Sequence, residues 1–150
     1  MKTKTIILIR HGIAEGKFWP KSDYDRELVE EGRCELLKNA EKNKDDLQKI
    51  ECVYCSGSVR KRQTLDVISP YLNKEWYDII FDDCIFEKEG YRWDLLDLIT
   101  STKDNTASIA LIGHNPTISE LYAYLMPHDA YSMKKGDIIV ITCKKRRKDL

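Results

Sequence analysis

Two histidines and two arginines stand where short apolar runs end. Ile6-Ile7-Leu8-Ile9 leads into Arg10-His11-Gly12, and Ile109-Ala110-Leu111-Ile112 leads into Gly113-His114-Asn115-Pro116. A third run ends at Tyr54-Cys55-Ser56-Gly57, delivering Ser56 and then a helix start with Arg60 and Arg62. In an open α/β sheet the carboxyl ends of parallel strands form the crevice where ligands bind. Arg10, His11, Arg60 and His114 would therefore meet at one rim. Singly, a strand-end histidine or a helix-start arginine is usually structural or solvated. Together, at matching topological positions, they favour an anion pocket, because forked guanidinium donors match phosphate oxygens.

The elements that must place them follow from periodicity. Lys4 to Ile9 is a continuous apolar, β-branched run, the pattern of a strand covered on both faces. Further strands are expected at Glu51 to Cys55, Tyr77 to Phe81, Ser108 to Ile112 and Asp137 to Cys143. Helices are expected at Val29 to Lys42, with Leu36, Leu37 and Ala40 on one face, and at Val59 to Ile68, ended by Pro70. Two more fall at Trp93 to Ile99 and Ile118 to Met126, and Phe18 to Arg26 is a polar loop. Alternating strands and helices predict an α/β sandwich, helices on both faces of a mostly parallel central sheet.

Composition bounds the rest. The 150 residues suit one domain, 1–150, with neither repeat nor linker. Twenty-five basic and 25 acidic side chains cancel, which argues against a non-specific nucleic-acid binder. No apolar run reaches the ~20 residues of a membrane span, and the start lacks the pattern of a signal peptide. Five scattered cysteines, Cys34, Cys52, Cys55, Cys84 and Cys143, suggest reduced thiols and a cytoplasmic location. Cys52 and Cys55 form C-x-x-C, but within a strand residues three apart point to opposite faces, so both read as small buried hydrophobes. Lys144 to Lys148 is a basic run read as a solvated end, and His128 as a surface residue.

The motifs themselves resemble those of the histidine phosphatase superfamily, the group that includes phosphoglycerate mutases. Leu8-Ile9-Arg10-His11-Gly12 resembles its R-H-G signature, and Ser56 to Thr64 its S-P-x-x-R-A-x-Q-T segment, matching at Ser56, Arg60, Gln63 and Thr64. Leu111 to Pro116 resembles the second-histidine motif. Asp25 to Gly32 is similar to the R-x-L-x-x-x-G segment of the small SixA-type phosphohistidine phosphatases. The chain departs from the pattern at Gly57, where proline is usual, and at Lys61, where alanine is usual. Both departures predict a differently shaped loop after the second strand.

The resemblance implies a phosphoglycerate mutase-like three-layer fold without a cap domain, and a phosphatase that needs neither metal nor cofactor. His11 would be the nucleophile and carry a transient phosphohistidine, with Arg10, Arg60 and His114 around the phosphoryl oxygens. For that His11 must be neutral, one ring nitrogen bare and the other pinned by a hydrogen bond. Gly12, Ser56 and Arg26 would contact substrate, although Arg26 reads equally as a loop arginine paired with Asp23 or Asp25. Many members carry a carboxylic acid after the third strand, where Glu87 is the candidate proton donor and no motif fixes it. Imidazole leaves far more easily than an alkoxide, so a weak acid signal favours protein phosphohistidine as substrate. Small phosphate esters are the alternative, and a catalytically silent phosphate-binding module the third. Phe18-Trp19-Pro20 is the expected edge of the pocket.

Overall fold

The computed structural model describes residues 3–55, 57–73, 78–81, 107–129 and 131–144. Among the described residues there are five strands: β1 (Thr3–Arg10), β2 (Cys52–Cys55), β3 (Asp78–Phe81), β4 (Ser108–Gly113) and β5 (Ile138–Lys144). They form one sheet in the order β3-β2-β4-β1-β5. The first four run parallel, and β5 closes the edge antiparallel to β1. The helices are α1 (Glu30–Lys42), α2 (Lys44–Leu47), α3 (Val59–Ile68) and α4 (Thr117–Leu125).

Alternation along β1 explains why both faces are covered. Ile6 and Leu8 join a core with Ile118, Leu121 and Tyr122 of α4. Ile7 and Ile9 join a second core with Ala40, Leu47, Leu65 and Ile68 of α1, α2 and α3. These four β1 side chains are at most 1% exposed, and each such burial contributes about 1.5–3 kcal/mol. Cys52 packs with the first core and Cys55 within the second, so the C-x-x-C pair does straddle the sheet. Burial pushes the Cys55 thiol up to about 12, the opposite of a reactive redox thiol. Among the described residues no helix is long and apolar enough to cross a membrane.

One expected face needs correction. On α1 the buried residues are Gly32, Leu36 and Ala40, a stripe stepping by four, whereas Leu37 lies a third of a turn away and is 43% exposed. The short helix α2 was not foreseen, because Lys44-Asp45-Asp46-Leu47 holds a single apolar residue. The expected helix Trp93 to Ile99, together with Ser56, Trp76, Cys84, Glu87 and the basic run after Lys144, lies outside the described residues.

Gly32 sits where α1 crosses the segment that follows Arg10-His11-Gly12. A Cβ there would meet Ile13 O at 2.3 Å and Ile13 N at 2.8 Å, both main-chain atoms that cannot swing aside. Gly32→Ala is therefore expected to destabilise the fold by about 3 kcal/mol, measured by urea unfolding. A change below about 1 kcal/mol would show that α1 rides free of this segment.

Candidate active site

Register brings the two histidines together. Arg10 of β1 pairs with Gly113 of β4, so His11 and His114, each one residue farther on, leave adjacent strand ends side by side. The His11 amide donates to Gly113 O at 3.0 Å. On the other flank, the Arg10 amide donates to Asp137 O at 3.0 Å. A turn ahead of β5 completes the frame: the Gly136 amide is shared between Arg10 O (3.1 Å) and His11 O (3.0 Å). Gly136 has φ +83°, a left-handed conformation that favours glycine. The Arg10 guanidinium donates to Met133 O of the same loop at 2.8 Å, and Asn115 Nδ2 reaches that carbonyl at 3.0 Å.

The remaining motif residues stitch these segments to α3. Thr64 Oγ1 donates to Arg60 O (2.8 Å) and accepts the Gly12 amide (3.2 Å). Gln63 Oε1 accepts the Leu28 amide at 2.8 Å, tying α3 to the segment that carries Arg26. Arg26 Nε donates to Glu15 O at 2.6 Å, and Arg26 Nη1 lies 2.7 Å from Asp23 Oδ1. Lys21 pins the same loop by bridging Glu15 and Glu27 at 2.6 and 3.0 Å.

The result is an open basin of about 230 Å³ lined by Arg10, His11, Lys17, Asp23, Arg26, Arg60, His114, Asn115 and Lys135. Arg10, His11, Arg26, Arg60 and His114 thus come to one place. Gly12 lies beside it, buried, with its amide bonded to Thr64. Arg26 lines the basin while paired with Asp23, the loop ion pair that was one of its two readings. Phe18 and Trp19 follow the basin residue Lys17 and are 50% and 93% exposed. A larger depression of about 430 Å³ opens at the amino ends of the strands, between Thr5, Glu51 and Ser108, and its walls hold neither histidine nor arginine.

The electrostatics suit a nucleophile. His11 Nδ1 lies 2.8 Å from Gly12 O. A carbonyl only accepts, so Nδ1 carries the proton and Nε2 keeps its lone pair. Burial holds His11 down to about 3 against an upward pull from the Gly12 hydrogen bond, and the charges of Arg60, Lys61 and Arg10 add to the lowering. His114 is held down to about 4, again chiefly by burial, then by Lys61 and Arg60. Both imidazoles are neutral at pH 7, and each keeps one N–H to donate.

Sequence reasoning missed three contributors. Lys61, treated only as a departure from the motif, is fully buried, and its charge is felt at both histidines. Lys17 and Lys135 join the basin from turns that belong to no motif. The signal for Lys135 was topological: the turn before an antiparallel edge strand beside β1 returns to the same rim.

No family model matches this sequence, and neither does any curated protein. Solved structures do match in shape. The SixA protein of Agrobacterium tumefaciens, ascribed phosphohistidine phosphatase activity, superposes with TM-score 0.80 at 23% identity, over 91% of this chain and 90% of that one. A protein histidine phosphatase SixA complexed with tungstate gives 0.71 at 24%, over 91% and 94%. A phosphoglycerate mutase of Plasmodium falciparum gives 0.67 at 20%, over 95% and 84%. The chain therefore has the phosphoglycerate mutase-like α/β fold that these enzymes share.

Proposed function

We propose that residues 1–150 form a single histidine phosphatase domain that removes phosphate from phosphohistidine in proteins, through a phosphoryl group carried on His11. The observation that carries this reading is the His11 imidazole: neutral, its Nδ1 proton fixed on Gly12 O so that Nε2 keeps its lone pair, in a basin lined by three arginines. In-line transfer needs such a lone pair, together with cations around the three equatorial oxygens. Arg10, Arg26 and Arg60 supply the cations, and His114 adds a donor as charge builds in the transition state. The donor set meets the charge of the phosphoryl group with protein cations, so the reaction proceeds without a metal or cofactor. Water then attacks the phosphoenzyme and restores His11.

Two features favour a protein substrate. The basin is open, Lys17 and Lys135 line it, and Lys17 is followed in the chain by the exposed Phe18 and Trp19, a surface suited to a macromolecule. Phosphohistidine also needs little help from an acid, since its leaving imidazole has a pKa of about 6.5. In this reading the protein is cytoplasmic and its partner is a phosphorylated protein, with no nucleic acid or membrane involved.

The test compares turnover of a phosphohistidine protein with sugar phosphates and nucleotides. Preference for the phosphohistidine protein by about tenfold or more in kcat/KM is expected. Preference for an alcohol ester, with a large loss in Glu87→Gln, would assign a small-molecule phosphatase instead. Phosphoprotein binding without phosphate release over hours would leave a silent binding module.

A further inference from the structure

Asp23 belongs to neither histidine motif, yet it holds two of the arginines that a phosphoryl group needs. Its Oδ1 lies 2.7 Å from Arg26 Nη1 and its Oδ2 3.3 Å from Arg60 Nη2. Its main-chain oxygen accepts from Arg60 Nη1 at 2.7 Å. It lines the basin with both histidines, and its charge is felt at His114. A carboxylate in an anion-binding basin opposes phosphate, so its presence there needs a chemical reason.

Depth supplies one. His11 and Arg60 are both buried, whereas the side chain of Asp23 is 29% exposed, more than that of either arginine it holds. Attack from the buried His11 places the leaving group on the far side of phosphorus, toward the open side of the basin, which the more exposed Asp23 also lines. A carboxylate there repels a group that departs as an anion. It attracts one that departs from a cation bearing an N–H. Phosphohistidine in its ring-protonated form is such a substrate, with an N–H on the nitrogen remote from phosphorus. A phosphate ester offers neither the charge nor the donor.

We propose that Asp23 is a specificity-determining residue: held by Arg26 and Arg60, its carboxylate accepts the ring N–H of an imidazole leaving group and disfavours phosphate esters. The inference rests on the phosphohistidine reading and deepens it. As the bond from His11 Nε2 to phosphorus forms, the P–N bond breaks and its electron pair returns to the ring nitrogen. The proton stays on the remote nitrogen, donated to Asp23, and the ring leaves as neutral imidazole.

The test is Asp23→Asn, with Asp23→Ala as a second variant, assayed on phosphoimidazole and on p-nitrophenyl phosphate, whose leaving group departs as an anion. The ratio of kcat/KM for phosphoimidazole over the ester should fall at least about tenfold in both variants, the scale of losing one hydrogen bond to a charged group. Inhibition by inorganic phosphate should tighten, because a competing negative charge has gone. Asp23→Glu should recover part of the ratio. If both substrates lose rate by the same factor and phosphate inhibits less tightly, Asp23 only braces the arginines and the proposal is overturned; an unmoved ratio overturns it as well. Wild-type protein that cleaves phosphoimidazole but ignores phosphohistidine proteins would defeat the protein-substrate reading and leave the Asp23 assignment standing. Wild-type protein idle on every P–N bond would defeat both.

Discussion

Replacing His11 with alanine should lower turnover by at least about a thousandfold, the scale seen when a covalent nucleophile is removed. The loss should fall on kcat, because Arg10, Arg26, Arg60 and His114 still line the basin and, in the proposed mechanism, still hold the phosphoryl group. Rapid quench with labelled substrate should trap an acid-labile, alkali-stable phosphoenzyme in the wild type and none in His11→Ala. Native-rate hydrolysis by the alanine variant would end the proposed mechanism. The pH dependence has a definite sign. Burial holds His11 near 3, so its lone pair persists as pH falls from about 7.5 to about 5.5, across the pKa of free imidazole, and no rate loss in that range should come from His11. Stability behaves differently. The unfolded chain binds protons on these imidazoles below about 6.5 and the folded chain does not, so this contribution is present above that pH and lost on acidification toward His114 at about 4 and His11 at about 3.

The second large effect is expected at Arg60, which is 3% exposed although it carries a full charge. Arg60→Lys keeps the charge and loses the planar fork, which separates geometry from electrostatics. A loss of about a hundredfold in kcat/KM is expected, the scale of removing one transition-state donor, with Arg60→Met losing more. The same variants release one hold on Asp23, so melting temperatures should accompany the kinetics to show that the fold survives. If Arg60→Lys stays within about threefold of the wild type, the guanidinium does not hold the phosphoryl group.

Much of this architecture is written in short-range pattern. The apolar run of β1, the parallel strands and the helices α1, α3 and α4 follow from periodicity. The meeting of Arg10, His11, Arg60 and His114 follows from the rule that parallel strands open at their carboxyl ends. What escaped was whatever depends on three-dimensional register. Leu37 looked like core because it adjoins Leu36, but the stripe that packs is set by how Gly32 lets α1 approach Ile13. Lys61 looked like a loop change because a charged side chain gives no hint that the fold will bury it. Lys135 carries no motif, and only the antiparallel return of β5 brings it to the basin. Ligand contact and a loop ion pair could not be separated for Arg26 in the sequence because they do not exclude each other: the side chain lines the basin while Asp23 holds it.

A single amide at Gly136 holds the carbonyls of Arg10 and His11 at once, and the strand after it zips along the whole of β1. That edge ribbon is thus a tether for the reactive segment. Exchange of this one proton with deuterated solvent reports the integrity of the segment without any substrate, while a label attached beyond β5 sits beside Thr3, at the far end of the sheet from the nucleophile.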